Sequence, residues 1–485
     1  MGANKILNMK RQRLVCILTD WFTTALAFLS FNIFRFYYLN IGDDFEDLAV
    51  YILSPKLIGE QIIVPTALLF VYWISGYYNN PFERSRLNEF LNTFYSQIFN
   101  AVIIYLGMLT NDTLYLLREN MMLLLILFML LFLFTYSGRL IITERLIKNR
   151  RLFKIRPRTV MIGTSDEAVK VASKLSNVQN NMPIDLVGFL PFGNEKDFST
   201  IESEHPYAPV LNSIEDLKRL SELKNIDQVI IVPTPGKAPT KKILHYLYVL
   251  YPYDISIKIN PDILSLITPT IRLDDILGEP FIDLSAPRIS ECSKNIKRSF
   301  DVLVSALGLI VLSPLFGLLS LAVKFSGPGK IIYTQQRVGI HRKPFNILKF
   351  RSMVSDAEKD GIPKLSGDRD SRITKVGKWM RKYRLDELPQ LWNVFKGEMS
   401  LVGPRPEREY FIDKIVKKAP WYTLVLQVRP GITSWGMVKY GYATDVEQMI
   451  ERNRFDLIYL ANMSIAVDFK ILIHTIKTVG SGAGK

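Results

Sequence analysis

Four long apolar runs crowd the first third of the chain, at about 14–36, 61–77, 93–109 and 121–137. The last opens "MMLLLILFMLLFLF" (121–134), without a single charge. Runs of about 20 apolar residues match the bilayer core when coiled as helices, so residues 1–150 are expected to form a four-span α-helical transmembrane bundle. Gln97 and Asn100 interrupt the third run and make it the weakest. No small-residue cleavage site follows the first run, which therefore reads as an anchor. Basic residues frame the runs unevenly. Lys5, Lys10, Arg11 and Arg13 precede the first, Arg84 and Arg86 lie between the second and third, and a basic stretch from Arg139 to Arg158 follows the fourth. The other two loops are richer in Asp43, Asp44, Glu46, Asp47, Asp112 and Glu119 than in base. The positive-inside rule then places the N-terminus and everything beyond Arg139 in the cytoplasm.

A net charge of +15 on a soluble protein would suggest nucleic acid. Here the basic residues sit beside apolar runs, where they set topology and face anionic lipid, and no nucleic-acid-binding motif accompanies them. No nucleic-acid partner is expected. Two distant cysteines, Cys16 and Cys292, exclude a cysteine-rich metal site, and four scattered histidines form no zinc pair. At ~150 residues per domain, the 485 residues allow about three domains.

Residues 151–292 alternate short β-rich runs, "TVMIG" (159–163), "IDLVGFL" (184–190), "QVIIVP" (228–233) and "DISIKI" (254–259), with helical stretches such as "TKKILHYLYVLY" (240–251). Such alternation predicts a Rossmann-like α/β domain with a parallel sheet. Its first turn reads Gly163-x-Ser165-x-x-Ala168. A dinucleotide fingerprint needs glycine at the second position to let a pyrophosphate approach. Ser165 blocks that approach, and no acid for a ribose follows the second strand, so a degenerate or regulatory domain is expected.

The third expected domain, 293–485, opens on another apolar run containing "LIVLSPLFGLL" (309–319). A fifth spanning helix is one reading. Both flanks are basic, however: Lys294, Lys297 and Arg298 before, Lys324, Lys330 and Arg337 after. Pro314 lacks a backbone donor and bends a helix, and Ser313 can bond a freed carbonyl. These features favour a re-entrant helix, 297–325, that enters the membrane, breaks at Ser313-Pro314 and leaves by the same face.

The densest polar information follows. Asp386-Glu387 precedes "LPQLWNVFKG", a helix opening on Pro389 and stopped by Gly397. Consecutive carboxylates on a helix diverge by about 100°, so one could address a phosphorus atom while its neighbour holds a metal. The plain alternative is an N-cap and a first-turn dipole partner. Pro404-Arg405-Pro406-Glu407 fixes one guanidinium between two prolines, either a phosphate clamp or a turn with a surface arginine. Arg337, Lys349, Arg351 and Arg429 are further candidate phosphate contacts, each with a surface ion pair as its alternative.

Across 297–470 the stretches "KRSFDVLVSALGLIVLSPLF", "YTQQRVG", "KPFNILKFRSM", "DSRITKVG", "LDELPQLWNVFKGEMSLVGPRPE", "RPGIT" and "VDFKIL" resemble the bacterial sugar transferase family, the monotopic polyprenyl-phosphate phosphoglycosyl transferases. Four spans and a Rossmann-like domain ahead of them resemble its large branch. The resemblance implies an enzyme of the bacterial inner membrane, its mixed α/β catalytic domain facing the cytoplasm. Such an enzyme transfers sugar 1-phosphate from a UDP-sugar to undecaprenyl phosphate and releases UMP, starting capsule, exopolysaccharide or O-antigen units. It implies Asp386 as a nucleophile that forms an acyl phosphate, and Glu387 as a ligand of Mg2+. Asp456, as a second candidate metal ligand, and Asp468 could support the metal or the acceptor phosphate, with a place on a helix surface as the alternative. It also implies donor contacts from Arg405 and Glu407, membrane lipid as a partner, and it allows a homo-oligomer. The chain departs from the pattern at Ile340-His341-Arg342, where relatives are glycine-rich, and at Met463 to Val467, where aromatics are common. A four-span sensor with a nucleotide-binding domain and a C-terminal docking module is the rival reading.

Overall fold

The computed structural model describes residues 2–39, 47–79, 86–109, 117–152, 157–176, 184–191, 201, 204–223, 225–233, 240–253, 255–260, 282–284, 289–354 and 370–480. Arg84, Asp43, Asp44, Glu46 and Asp112 lie outside them. The chain divides into two compact units, Met1–Ile155 with Ser290–Ile296, and Arg156–Ile289 with Lys297–Lys485.

The first unit is helical: α1 (Gly2–Tyr38), the short α2 (Leu48–Ile52), α3 (Pro55–Ile74), α4 (Arg86–Leu109) and α5 (Leu117–Leu152). Among the described residues three helices are long and apolar enough to cross a membrane, over Lys10–Tyr38, Pro55–Ile74 and Arg118–Arg145. α4 falls short by composition, and the reason is visible. Glu89, Thr93, Gln97 and Asn100 recur every three or four residues, hence on one helix face, and all four are buried. Their polar atoms meet others inside the bundle. Tyr77 donates to Glu89 at 2.6 Å, Arg139 to Thr93 at 3.1 Å, and Gln97 to the Tyr72 hydroxyl at 2.8 Å. Arg139 also grips Asp20 with two bonds, Nε to Oδ1 at 2.9 Å and Nη2 to Oδ2 at 2.8 Å. Its guanidinium lies 3.6 Å from the Tyr77 ring centroid. Buried charge persists in such surroundings only when paired. Gly76 (φ 83) closes this unit, because a Cβ there would fall 2.6 Å from that of Glu291. The contact is tied by Asn79 to Glu291 at 2.6 Å and by Asn295 to the Trp73 carbonyl at 2.6 Å.

The second unit begins with β1 (Arg158–Ile162), α6 (Asp166–Ser176), β2 (Asp185–Leu190), α7 (Ile214–Glu222), β3 (Gln228–Ile231), α8 (Thr240–Leu250), β4 (Ser256–Ile259) and β5 (Ile282–Asp283). The sheet order is β2-β1-β3-β4-β5, parallel except for β5. Gly163 (φ 131) makes the turn out of β1, where a Cβ would meet the Val232 carbonyl at 2.3 Å. Ser165 accepts the Ala168 N–H at 3.4 Å, so it serves its own helix.

The expected boundary at 292/293 falls inside α9 (Glu291–Val311). α9 gives way at Leu312, and α10 (Ser313–Phe325) departs at 63°. Ser313 Oγ donates to the Ile310 carbonyl at 2.7 Å and Pro314 starts α10, as a helix break requires. Leu307, Ile310, Val311, Leu318, Leu321 and Phe325 are exposed along both helices, whereas Leu319 and Val323 pack with Phe350 and Met380.

Then follow a hairpin of β6 (Ile332–Val338) and β7 (Pro344–Phe350), α11 (Lys375–Lys382), α12 (Gln390–Lys396), β8 (Ser400–Val402), α13 (Glu409–Lys418), β9 (Gly431–Thr433), α14 (Trp435–Lys439), α15 (Val446–Ala461) and α16 (Ile465–Gly480). The α/β sheet and this segment share one core. Leu244, Leu247 and Leu250 of α8 pack with Tyr422, Val425 and Leu426 of the 3₁₀ turn Pro420–Gln427. Tyr248 donates to Asp413 at 2.5 Å, and Gln427 to the Leu284 carbonyl at 2.8 Å. The second and third expected domains are therefore one folded body.

Candidate active site

Asp386 and Glu387 lie on a 3₁₀ turn, Leu385–Glu387, between α11 and α12. Arg384 enters this turn in the left-handed conformation (φ 56), strain of about 1–3 kcal/mol for a non-glycine residue that neighbouring contacts must offset. α12 starts on Pro389 without a side-chain cap and ends on left-handed Gly397. Neither acid caps it, so the capping alternative for the pair is not realised.

The two carboxylates face different surroundings, although each residue is 6% exposed. Glu387 Oε1 accepts from Lys349 at 2.7 Å and Oε2 from Arg384 at 3.1 Å, while Arg405 stands 3.8 Å away. Burial works to raise its pKa, but Lys349, Arg384 and Arg405 overcome it and hold the carboxyl well below the usual range. Among the described residues the Asp386 carboxylate makes no hydrogen bond and no ion pair. Burial pushes it up, against the pull of Lys349, Arg381 and Arg384. Cations outnumber the two carboxylates, leaving the centre suited to a further anion.

Strand alternation puts Lys349 on the face of β7 that carries Ile347, which packs on Val394 of α12, so the amine is delivered beneath the acid pair. Burial lowers Lys349 even so close to Glu387. Arg405 emerges from the Pro404–Pro406 turn, and its guanidinium lies 5.3 Å from the Tyr442 ring centroid, with that of Arg384 at 4.7 Å. Tyr442, Glu387 and Glu407 raise Arg405 against the effect of burial. Arg405 also lines a small cleft with Val338, Gly339, Glu407, Tyr422 and Leu426.

Glu407 does not face this centre as a direct contact. It accepts from buried Arg452 at 2.5 Å, and Arg337 lies 3.6 Å from its other oxygen. Arg337 also donates to the Pro406 carbonyl at 3.2 Å and to Gln335 at 2.7 Å. Glu407 and Arg337 thus buttress the Pro404–Glu407 turn. Asp456, four residues beyond Arg452 on α15, accepts the Gly436 N–H at 2.9 Å, and the Ser434 hydroxyl and Arg405 N–H also bond it.

Two candidate phosphate contacts meet backbone carbonyls. Arg351 directs its guanidinium to the carbonyls of Val323, Gly327 and Pro328 at 2.6–2.8 Å, tying off the end of α10. Arg429 donates to the Gly397 carbonyl at 2.9 Å at the end of α12. Carbonyls at a helix C-terminus lack intrahelical donors and attract guanidinium groups. Asp468 is likewise engaged, with Lys297 at 2.5 Å and Tyr459 at 2.7 Å.

Among the described residues no three His, Cys, Asp or Glu side chains converge on a metal position. Mg2+ usually takes one or two carboxylates and completes its shell with water and substrate phosphate. Glu387 fits that pattern, because its two hydrogen bonds fall on different oxygens and leave each a lone pair. Asp456 does not fit: backbone N–H groups and a hydroxyl already occupy it.

Tyr442 and Arg452 lie outside the residues expected from sequence. Arg384 adjoins the acid pair and was legible by proximity. Tyr442 and Arg452 carry no local signal.

The pattern described as bacterial sugar transferase matches residues 292–482. A UDP-N-acetylgalactosamine-undecaprenyl-phosphate N-acetylgalactosaminephosphotransferase of Aeromonas hydrophila is 41% identical over 39% of this chain and 44% of its own. A UDP-glucose:undecaprenyl-phosphate glucose-1-phosphate transferase of Escherichia coli is 35% identical over 49% of this chain and 51% of its own. The chain thus spans about half the length of these two relatives. The exopolysaccharide production protein ExoY of Sinorhizobium fredii is 40% identical over 38% of this chain and 84% of its own. With the acid pair, its flanking cations and the broken helix all inside the matched segment, the chain belongs to the bacterial sugar transferase family.

Proposed function

We propose that this protein transfers the sugar 1-phosphate of a UDP-sugar to undecaprenyl phosphate, giving undecaprenyl-diphosphate-sugar and UMP, the initiating step of exopolysaccharide, capsule or O-antigen synthesis. One observation carries the reading: Asp386 is unpartnered among the described residues, beside a Glu387 held by three cations. A nucleophile must keep a lone pair available, and phosphoryl transfer asks mainly for alignment and charge neutralisation. The relatives' names supply the donor and acceptor classes.

An Asp386 oxygen attacks the β-phosphorus, and the bond from that phosphorus to the bridging oxygen breaks. UMP leaves with the electron pair. An oxygen of undecaprenyl phosphate then attacks the aspartyl phosphosugar, and Asp386 departs as a carboxylate. Lys349, Arg384 and Arg405 neutralise the charge that moves across the diphosphate. Glu387 would hold Mg2+, which when bound neutralises phosphate oxygens.

The rest of the chain serves this chemistry. We read α4 as a fourth span whose polar face is turned inward, and the sheet as a Rossmann-like scaffold. Ser165 bonds its own helix there, and Asp166 and Glu167 put negative charge at the helix start, where a pyrophosphate would sit. α9 and α10 form a re-entrant pair, which keeps Asp386 on the cytoplasmic face of a bacterial inner membrane beside the lipid phosphate. Full-length protein in detergent, given Mg2+ and undecaprenyl phosphate, should release UMP from one member of a panel of UDP-hexoses and UDP-N-acetylhexosamines. No UMP from any donor would favour the sensor reading.

A further inference from the structure

We propose that Tyr442 is a positioning residue whose ring aligns the Arg384 and Arg405 guanidinium groups on the diphosphate of the nucleotide donor. This deepens the function proposed above and rests on it for the identity of the donor. Both guanidinium groups lie over one ring, at 4.7 and 5.3 Å from its centroid, and both face Glu387. The two arginines come from unconnected segments, the turn after α11 and the Pro404–Pro406 turn. Like charges brought this close repel, and an aromatic face attracts both.

The ring is well placed to act as a fixed reference. Tyr442 lies between α14 and α15, and the backbone is pinned on both sides. Before it, Gly441 (φ 92) donates to the Gly436 carbonyl at 3.2 Å. After it, Ala443 is buried in the core, and Asp445 caps α15 by accepting the Gln448 N–H at 2.8 Å. Gly436 is itself held by Asp456, the carboxylate that bonds the Arg405 N–H. The Tyr442 hydroxyl makes no hydrogen bond among the described residues. The ring is the group that meets both guanidinium groups.

The test is calorimetric titration of the full-length protein in detergent with UDP and Mg2+, comparing wild type, Tyr442→Phe and Tyr442→Leu. The Leu variant should bind UDP ~10-fold more weakly, the Phe variant within about twofold of wild type, in line with two partly desolvated cation–π contacts. The Leu variant should stay folded and unfold cooperatively, with a small fall in melting temperature that the Phe variant does not share. The proposal is overturned by wild-type affinity in the Leu variant, by equal weakening in the Phe variant, by loss of cooperative unfolding in the Leu variant, or by wild-type protein that does not bind UDP. UDP binding without UMP release would instead count against the reaction and leave the alignment role standing.

Discussion

Arg452 donates to Glu407 at 2.5 Å, and both side chains are 5% exposed. Removing one partner of a buried ion pair leaves the other uncompensated, typically at ~3–5 kcal/mol. Arg337, 3.6 Å from Glu407, softens the loss, so Arg452→Met should cost about 3 kcal/mol. Adding Glu407→Gln should restore part of the melting temperature. Unchanged melting in the single variant would show the pair to be idle.

Asp386→Asn should fold, reach the membrane and lower UMP release by ~10³-fold or more, as loss of a nucleophile does elsewhere. Donor labelled on its β-phosphate should tag wild-type protein and leave the variant unlabelled. Near-full activity in Asp386→Asn would remove the assignment.

Chelation should stop UMP release, and added Mg2+ should restore it. Continued release in EDTA would leave Glu387 only its visible task, anchoring Lys349 and Arg384.

Asp456 offers a pH test. Burial pushes its carboxyl up to about 6, against the Gly436 N–H, Arg452, Ser434 and the Arg405 N–H; Tyr422 and Tyr459 also face it. A folded-state value above the unfolded one means stability that is full below pH ~4 and lost as pH rises through about 6, some 3 kcal/mol in all. Asp456→Asn cannot ionise. Its melting temperature relative to wild type should therefore rise as pH goes from 4 to 7. A constant difference across that range would refute the burial argument.

The break at Ser313-Pro314 can be mapped by labelling. Lys330 is exposed, five residues past α10. In a Cys292→Ser background, Lys330→Cys should react with a membrane-impermeant maleimide only from the cytoplasmic side. Reaction from the periplasm alone would make α9 and α10 one spanning segment.

Much of the site was legible because its pieces are local. Asp386-Glu387, Pro404 to Glu407 and the helix stop at Gly397 announce themselves over a few residues. The carbonyl partners of Arg351 and Arg429 were not legible, because sequence shows a cation and not the carbonyls that a tertiary fold brings to it. Tyr442 was invisible for the same reason: its value comes from two arginines far along the chain. The shared core does leave a trace in the sequence. α8 buries Ile243, Leu244, Tyr246, Leu247, Tyr248 and Leu250, too wide a set for a helix covering a sheet on one side only.

That width sets a limit on where this protein can be cut. A fragment beginning near residue 292, the edge of the family match, would strip α8 from Tyr422, Val425 and Leu426 and leave Asp413 and the Gln427 amide without Tyr248 and Leu284. The same turn lines the cleft beside Arg405. Expressed alone, the matched segment would carry an apolar, unsatisfied flank next to Arg405, so the smallest fragment of this body worth making starts at Arg156.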